Sequence, residues 1–267
     1  MTISQGESIG LSPSSQTCLS NIQTHIASLK YPDFSAYPQN KLAAVLVLLF
    51  EQNGALRVLL TTRSKELRTH AGQTALPGGK KDPSDTDMIA AALREANEEV
   101  SLPVGSPYVH IIGELEPFIS LHKLLVTPVI AYLSSPRSVL SSLVASECEV
   151  SQIFSHPLEA ILNPKLVTEQ LVDEQLVEMG SENWIYETEL HSTSDSKVPM
   201  LGGSLYRMHR FRSSASPVKG LTADILIKVA GIAYRSPTIY ERYAPGQLRN
   251  IEDIVAAVED NSDKGAP

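Results

Sequence analysis

An α+β fold is predicted by three features of the 267-residue chain. Two apolar runs, residues 42–50 and 55–62, are joined by Asn53-Gly54, the pair that favours a type I′ hairpin. Two further runs, 109–119 and 124–133, alternate well enough to be strands. Between and around these strands, apolar residues recur at helical spacing over 16–30, over 89–100 and from 220 onward. A composition of 42% hydrophobic and 19% charged residues fits a globular chain that buries a sizeable core.

Charge and cysteine content exclude several classes. A net charge of -8 argues against a general nucleic-acid binder or a membrane-surface protein, so a polyanionic substrate would have to be met by local basic groups. Cys18 and Cys148 are too few for a disulfide framework and suit a reducing compartment. The most apolar stretch, 42–50, is far shorter than a membrane span. No secretory or transit pattern opens the chain, and Lys264-Gly265-Ala266-Pro267 is not a Ser-Lys-Leu-type address. An intracellular protein is expected, in a compartment that these residues leave open.

In chain order, residues 1–15 are polar and read as disordered. Leu19, Ile22, Ile26 and Leu29 define an amphipathic helix over 16–30, which Pro32 and Pro38 end. The hairpin follows, and it delivers a loop holding Arg63, Arg68 and His70. Gly72, Gly78 and Gly79 would let the backbone approach a ligand or metal with no side chain in the way, or simply form a tight turn. Asp82-Pro83-Ser84-Asp85 reads as a helix start, with Asp85 either a cap residue or a support for the site beyond it.

The helix carries its apolar stripe on Ile89, Leu93, Ala96 and Val100. Glu95, Glu98 and Glu99 stand at i, i+3 and i+4 and share another face. Taken alone, three such carboxylates are either a solvated face or a divalent-cation site, since carboxylate oxygens are the ligands Mg2+ and Mn2+ prefer. Arg94 is read as an orienting partner for a carboxylate, leaving the helix on a different side from the glutamates.

Gly79, Asp85, Arg94, Glu95, Ala96, Glu98, Glu99 and Leu102 resemble the Nudix box, G-x5-E-x7-R-E-u-x-E-E-x-G-u with u apolar. Asp85 stands for its first glutamate, Ser101 for its last glycine, and one extra residue separates Asp85 from Arg94. The core Arg94-Glu95-x-x-Glu98-Glu99 is intact. That extra residue is also found in the coenzyme A pyrophosphatase branch. Upstream, Leu59-Leu60-Thr61-Thr62-Arg63-Ser64, Arg68, Gly72 and Leu76-Pro77-Gly78-Gly79 are similar to the branch signature L-L-T-x-R-S-x3-R-x3-G-x3-F-P-G-G, with Leu76 in place of Phe. The resemblance implies an α/β/α sandwich with a mixed central sheet. It also implies Mg2+ (or Mn2+) as cofactor, held by Glu95, Glu99, Glu98 and the backbone of Gly79. Glu95, Glu98 and Arg94 would form the catalytic core, and Arg63, Arg68, Gly72 and Gly78 would contact substrate.

By the same resemblance the substrate is a small-molecule nucleotide of the coenzyme A class, cut at its diphosphate linkage to 3′,5′-ADP and 4′-phosphopantetheine products. The alternatives are a Nudix activity on NADH or oxidised (deoxy)nucleotides, or a non-catalytic nucleotide-binding protein of the same fold. Neither nucleic acid nor membrane is an expected partner, and a homodimer is left open.

Farther along, 116–123 reads as a loop able to overhang the site, with His122 a surface histidine or a substrate contact. Glu147 or Glu149 is a surface charge or a general base, as a loop glutamate of this region is in some family members. A mobile insertion near 190–204 is expected between strands at 184–188 and 205–211. Arg210 and Arg212 share a strand face and would reach phosphate or protect an edge. Gly220-Leu221-Thr222-Ala223 opens a helix that packs on the sheet, 251–258 forms a last short one, and 261–267 frays. The whole reads as a single Nudix domain over 16–260, with its box at 79–102.

Overall fold

Residues 11–31, 37–170 and 175–262 are described by the computed structural model, so the expectations for 1–10, Pro32 and 263–267 fall outside it. Helix α1 spans Pro13–Ser28 and starts earlier than its apolar spacing implies, because Ser12 caps it and Pro13 occupies its first turn. Residues 13–15, expected to be disordered, are therefore helical. The Ser12 hydroxyl also donates to Glu51 at 2.6 Å, which fastens the helix to the sheet.

Strands β1 (Leu42–Gln52) and β2 (Ala55–Arg63) form the expected hairpin, with Asn53 and Gly54 both at positive φ as a type I′ turn requires. Short strands β3 (Thr74–Ala75) and β4 (Gly78–Lys80) lead to helix α2 (Met88–Val100). Strands β5 (Val109–Glu114), β6 (Phe118–Ile119) and β7 (Leu125–Leu133) follow, then helix α3 (Pro136–Leu140), strand β8 (Val150–Pro157) and helix α4 (Val167–Gln170). The single strand expected over 109–119 is thus two, with Pro117, which has no amide to give a ladder, lying between them.

These eight strands make one mixed sheet whose main order is β3-β2-β1-β7-β5, with β4 on β1, β6 on β7 and β8 on β2. β1 and β7 are parallel and central, which explains why both are almost continuously apolar rather than alternating. Alternate residues of β1 serve two cores. Val47 and Leu49 pack with α1 and the later helix α5 (Gly220–Tyr234), and Leu46 and Leu48 pack with Ala92, Ala96 and Val100 of α2. The result is the three-layer α/β/α arrangement.

Strands β9 (His191–Val198), β10 (Ser204–Phe211) and β11 (Val218–Lys219) form a second, antiparallel sheet, and helix α6 (Ile251–Ser262) comes last. The stretch expected as an insertion is therefore largely a strand. Its Ser, Thr and Asp side chains face solvent while its backbone pairs along all of β10, and Asp195 grips Arg207 through two contacts of 2.7 Å. The strand expected at 184–188 is instead a loop closed on the fully buried Trp184, whose Nε1 donates to the Thr188 carbonyl at 2.8 Å. Arg210 and Arg212 are occupied locally, by Ser194 (2.9 Å) and the Val177 carbonyl (2.7 Å).

His156 in β8 is almost fully buried, its Nδ1 has no hydrogen-bond partner, and burial beside Arg57 holds its pKa down at about 3. An unfolded histidine titrates near 6.5, so between about pH 6.5 and 3 only the unfolded state takes up this proton. Folding stability is then expected to fall with pH by about 1.4 kcal/mol per unit below 6.5 on this account. Asp224, raised to about 7 by burial, has the opposite dependence, since its stabilisation is lost as pH rises from 3.8 to 7. Urea unfolding of wild type and His156→Leu between pH 7.5 and 5 isolates the first effect. Parallel pH slopes for the two proteins would contradict it.

Candidate active site

The end of the sheet where β1 and β7 begin and β2 finishes gathers the motif residues. β4 pairs with β1 there, Ala44 opposite Gly79 and Val45 opposite Gly78. A Cβ on Gly78 would lie 2.4 Å from the Ala44 carbonyl oxygen, so only glycine lets these strands close. A Cβ on Gly79 would lie 2.5 Å from the Glu95 carboxylate, so this backbone and that side chain face each other directly. Gly72 adopts φ +66 and returns the loop, its amide donating to the Arg63 carbonyl at 3.1 Å.

Helix α2 is not started by Asp82 and Pro83. Asp87 caps it, accepting from the Ala90 amide at 2.7 Å, while Asp82 and Asp85 fold the preceding turn on themselves. Ser101 ends the helix at φ 56, the left-handed position for which glycine is favoured. The helix buries Ala91, Ala92, Ala96 and Val100, with Ile89 and Leu93 only partly covered.

Arg94 lies on the glutamate side, contrary to the sequence expectation. Its Nε and Nη2 meet both oxygens of buried Asp85 at 3.0 Å, its Nη1 reaches Glu95 and Glu98 at 3.0 Å each, and its Nη2 also donates to the Lys80 carbonyl. A long side chain folded back over its own helix overrides the direction of its Cα–Cβ bond. Arg94 thereby fixes Glu95, the Asp85 turn and the end of β4 together.

Glu95, Glu98 and Glu99 differ in environment, with side-chain exposures of 16%, 53% and 4%. Glu99 accepts from the Gly78 amide at 3.3 Å and has Arg63 Nη1 at 3.7 Å. Burial pushes its pKa up to about 7 against the opposing pull of Arg63 and the Gly78 amide, and Glu95 and Glu149 push it further. Glu95 is also raised, again chiefly by burial, with Arg94 opposing and Glu98 and Glu149 adding to the rise. Arg63 Nε is buried with no hydrogen-bond partner.

Among the described residues no three metal-binding side chains converge into a ready-made cage. The donor chemistry nevertheless fits a hard divalent cation. Buried Glu99 and half-buried Glu95, both with raised pKa values and both pushed further up by Glu149, form an under-neutralised oxygen set beside the Gly79 backbone. Glu95 and Glu99 would hold such an ion, and Glu98 would need to leave Arg94 to join them.

Of the other predicted residues, Arg68 is exposed on its loop. Glu149 acts on both Glu95 and Glu99, and its carbonyl accepts from the Ser64 amide at 2.8 Å, which ties it to the Arg63 loop. Glu147 is exposed and does not figure in the electrostatics of either glutamate. His70 is named in the sequence only as a member of the Arg63 loop, with no role of its own. Its Nε2 lies 3.1 Å from His122 Nε2, so the 64–73 loop touches the turn that follows β6. No local pattern signals a contact between residues 52 positions apart.

A model of the NUDIX domain matches residues 40–173, half of the chain. The chain belongs to the Nudix family. Nudix hydrolase 15, mitochondrial, from Arabidopsis thaliana is 35% identical over 206 residues, covering 77% of this chain and 63% of that protein. An uncharacterized Nudix hydrolase, NudL, from Escherichia coli O7:K1 is 49% identical over 106 residues, 40% of this chain and 52% of its own. The crystal structure of the Nudix hydrolase RenU from M. Smegmatis aligns with 25% identity over 45% of this chain and 73% of that one, at a TM-score of 0.37. This Nudix chain thus spans under two thirds of the length of these curated relatives. No helix among its described residues is long and apolar enough to cross a membrane.

Proposed function

We propose that this Nudix protein hydrolyses the diphosphate linkage of coenzyme A or a derivative, with Mg2+ or Mn2+, to 3′,5′-ADP and a 4′-phosphopantetheine product. The observation that carries the reading is Arg63. This residue of the Leu-Leu-Thr-Thr-Arg-Ser motif stands against Glu99 with a buried, unpartnered Nε. A buried N–H without an acceptor is costly, and a phosphate oxygen would satisfy it.

A bound cation supplies charge neutralisation and a more acidic water. The chain's own residues do the rest. Glu95 and Glu99 would hold the ion, Arg94 keeps Glu95 and the Asp85 turn in register, and Arg63 would draw the diphosphate toward the ion at the glutamates. Glu149 accepts the proton of the attacking water. The water oxygen bonds to phosphorus, the bridging P–O bond breaks, and the departing phosphate carries away the electron pair. Arg68, exposed on the same loop, would steer the anion from solvent.

Mass analysis of products made in heavy-oxygen water tests this directly. Coenzyme A, offered together with NADH and 8-oxo-dGTP, is expected to be consumed first, with one labelled oxygen in one of the two phosphate products. Preferential loss of NADH or 8-oxo-dGTP would overturn the substrate class. Ligand bound tightly with Mg2+ and left intact would overturn catalysis.

A further inference from the structure

A cavity of about 390 Å³ lies outside the motif residues, walled by the 116–121 segment, β9, β10 and the helices α5 and α6. Its volume is in the range of small-ligand sites. Much of its lining, from Val198 to Ile254, follows the stretch that the family model matches. We infer that this cavity receives the aliphatic, amide-bearing arm of the substrate, the pantetheine side of coenzyme A, while the diphosphate rests at Arg63 and the glutamates. This rests on the functional reading above and adds where the second half of the substrate goes.

Position supports it. Along the sheet, Lys80 pairs with Ala43, Ala43 with Val126 and Val126 with Phe118, so the cavity wall at Phe118 lies three strands from β4, roughly 14 Å at the usual interstrand spacing. The pantetheine chain has the backbone length of about four peptide units, which also extends to roughly 14 Å. The opposite wall is anchored to the same end of the sheet. Leu221 lines the cavity, and its neighbour Thr222 donates to the carbonyl of Thr74, the partner of Thr62 beside Arg63.

Chemistry supports it too. Leu221, Met200, Met208, Leu201 and Ile254 offer adaptable aliphatic surface. A flat base would want an open aromatic face, and the rings here are engaged. Arg242 and Arg249 sit 4.9 and 4.7 Å over Tyr243, Phe118 packs against the core, and the Tyr206 hydroxyl is bonded to Asp224 at 2.6 Å. Asp224 lies deep in the molecule, yet the cavity reaches it and leaves it part-exposed. Its carboxyl, raised to about 7 by burial, offers a hydrogen bond to a carbonyl when protonated and accepts one from an amide when not.

The test uses two variants on different walls, Leu221→Trp and Met200→Trp, checked for unchanged melting. Hexanoyl-pantetheine, titrated calorimetrically into the full chain, is expected to bind wild type and to bind each variant at least tenfold more weakly. The KM for coenzyme A should rise tenfold or more with kcat within twofold, while hydrolysis of the methyl ester of ADP, which lacks the arm, stays unchanged. Coenzyme A turnover with unaltered KM in both variants overturns the cavity assignment alone. Failure of wild type to cut coenzyme A, with hexanoyl-pantetheine binding still lost in the variants, defeats the functional reading and leaves the cavity assigned. Absence of probe binding to wild type overturns the assignment.

Discussion

Replacing Glu95 and Glu99 together by Gln is expected to leave a folded protein whose metal-dependent turnover is lower by roughly three orders of magnitude or more, since a catalytic cation contributes several kcal/mol to the transition state. Gln keeps the shape of both side chains, so the Gly78 amide still finds an acceptor and the helix still packs. The lost property is charge. Mn2+ titration should show weakened binding in the same variant, which separates a missing ion from a damaged fold. Glu98→Gln should do less, because that side chain is half exposed and tied to Arg94. Glu149→Gln should retain Mn2+ binding and lower kcat. Near-wild-type rates in the double variant would remove the basis for assigning catalysis to this helix.

Arg94→Ala is expected to destabilise the chain by about 3 kcal/mol, the lower end for breaking a buried ion pair, because the guanidinium is 28% exposed. The mechanism is specific. Asp85 is buried and gives both oxygens to Arg94, so truncation leaves an uncompensated carboxylate under the turn that carries β4. The guanidinium also holds Asp85 below its ordinary carboxylate range, mainly through those hydrogen bonds. Arg94→Ala combined with Asp85→Asn should therefore be less destabilised than the sum of the two single changes. Urea unfolding of the four proteins in the cycle gives the comparison. Strict additivity would show that the pair contributes nothing to the turn.

Much of the site was legible because its information is local. Positions i, i+3 and i+4 place Glu95, Glu98 and Glu99 together on any helix, and Asn53-Gly54 specifies its hairpin whatever surrounds it. Departures came where local and tertiary preferences conflict. Residues 192–197 read as a loop from their Ser, Thr and Asp content, yet the ladder to β10 makes them a strand, since a solvent-facing strand has no need of apolar side chains. Asp82 and Pro83 carry a helix-start signature, but Arg94 recruits Asp85, and the cap falls to Asp87. Arg94 itself points where its four partners are, and not where its place on the helical wheel implies.

By itself the sequence determined the α+β class, the hairpin, the acidic helix and the glycine turn facing it, because each depends on spacings within a few dozen residues. Only the tertiary structure decided that Glu99 is buried and Glu98 is not, that Arg63 keeps an unpartnered donor beside them, and that α5, α6 and the second sheet enclose a cavity at the same sheet end. Those are properties of surfaces brought together from distant parts of the chain. Burial, and the shifts in proton affinity that follow from it, have no value until the chain has closed around the group.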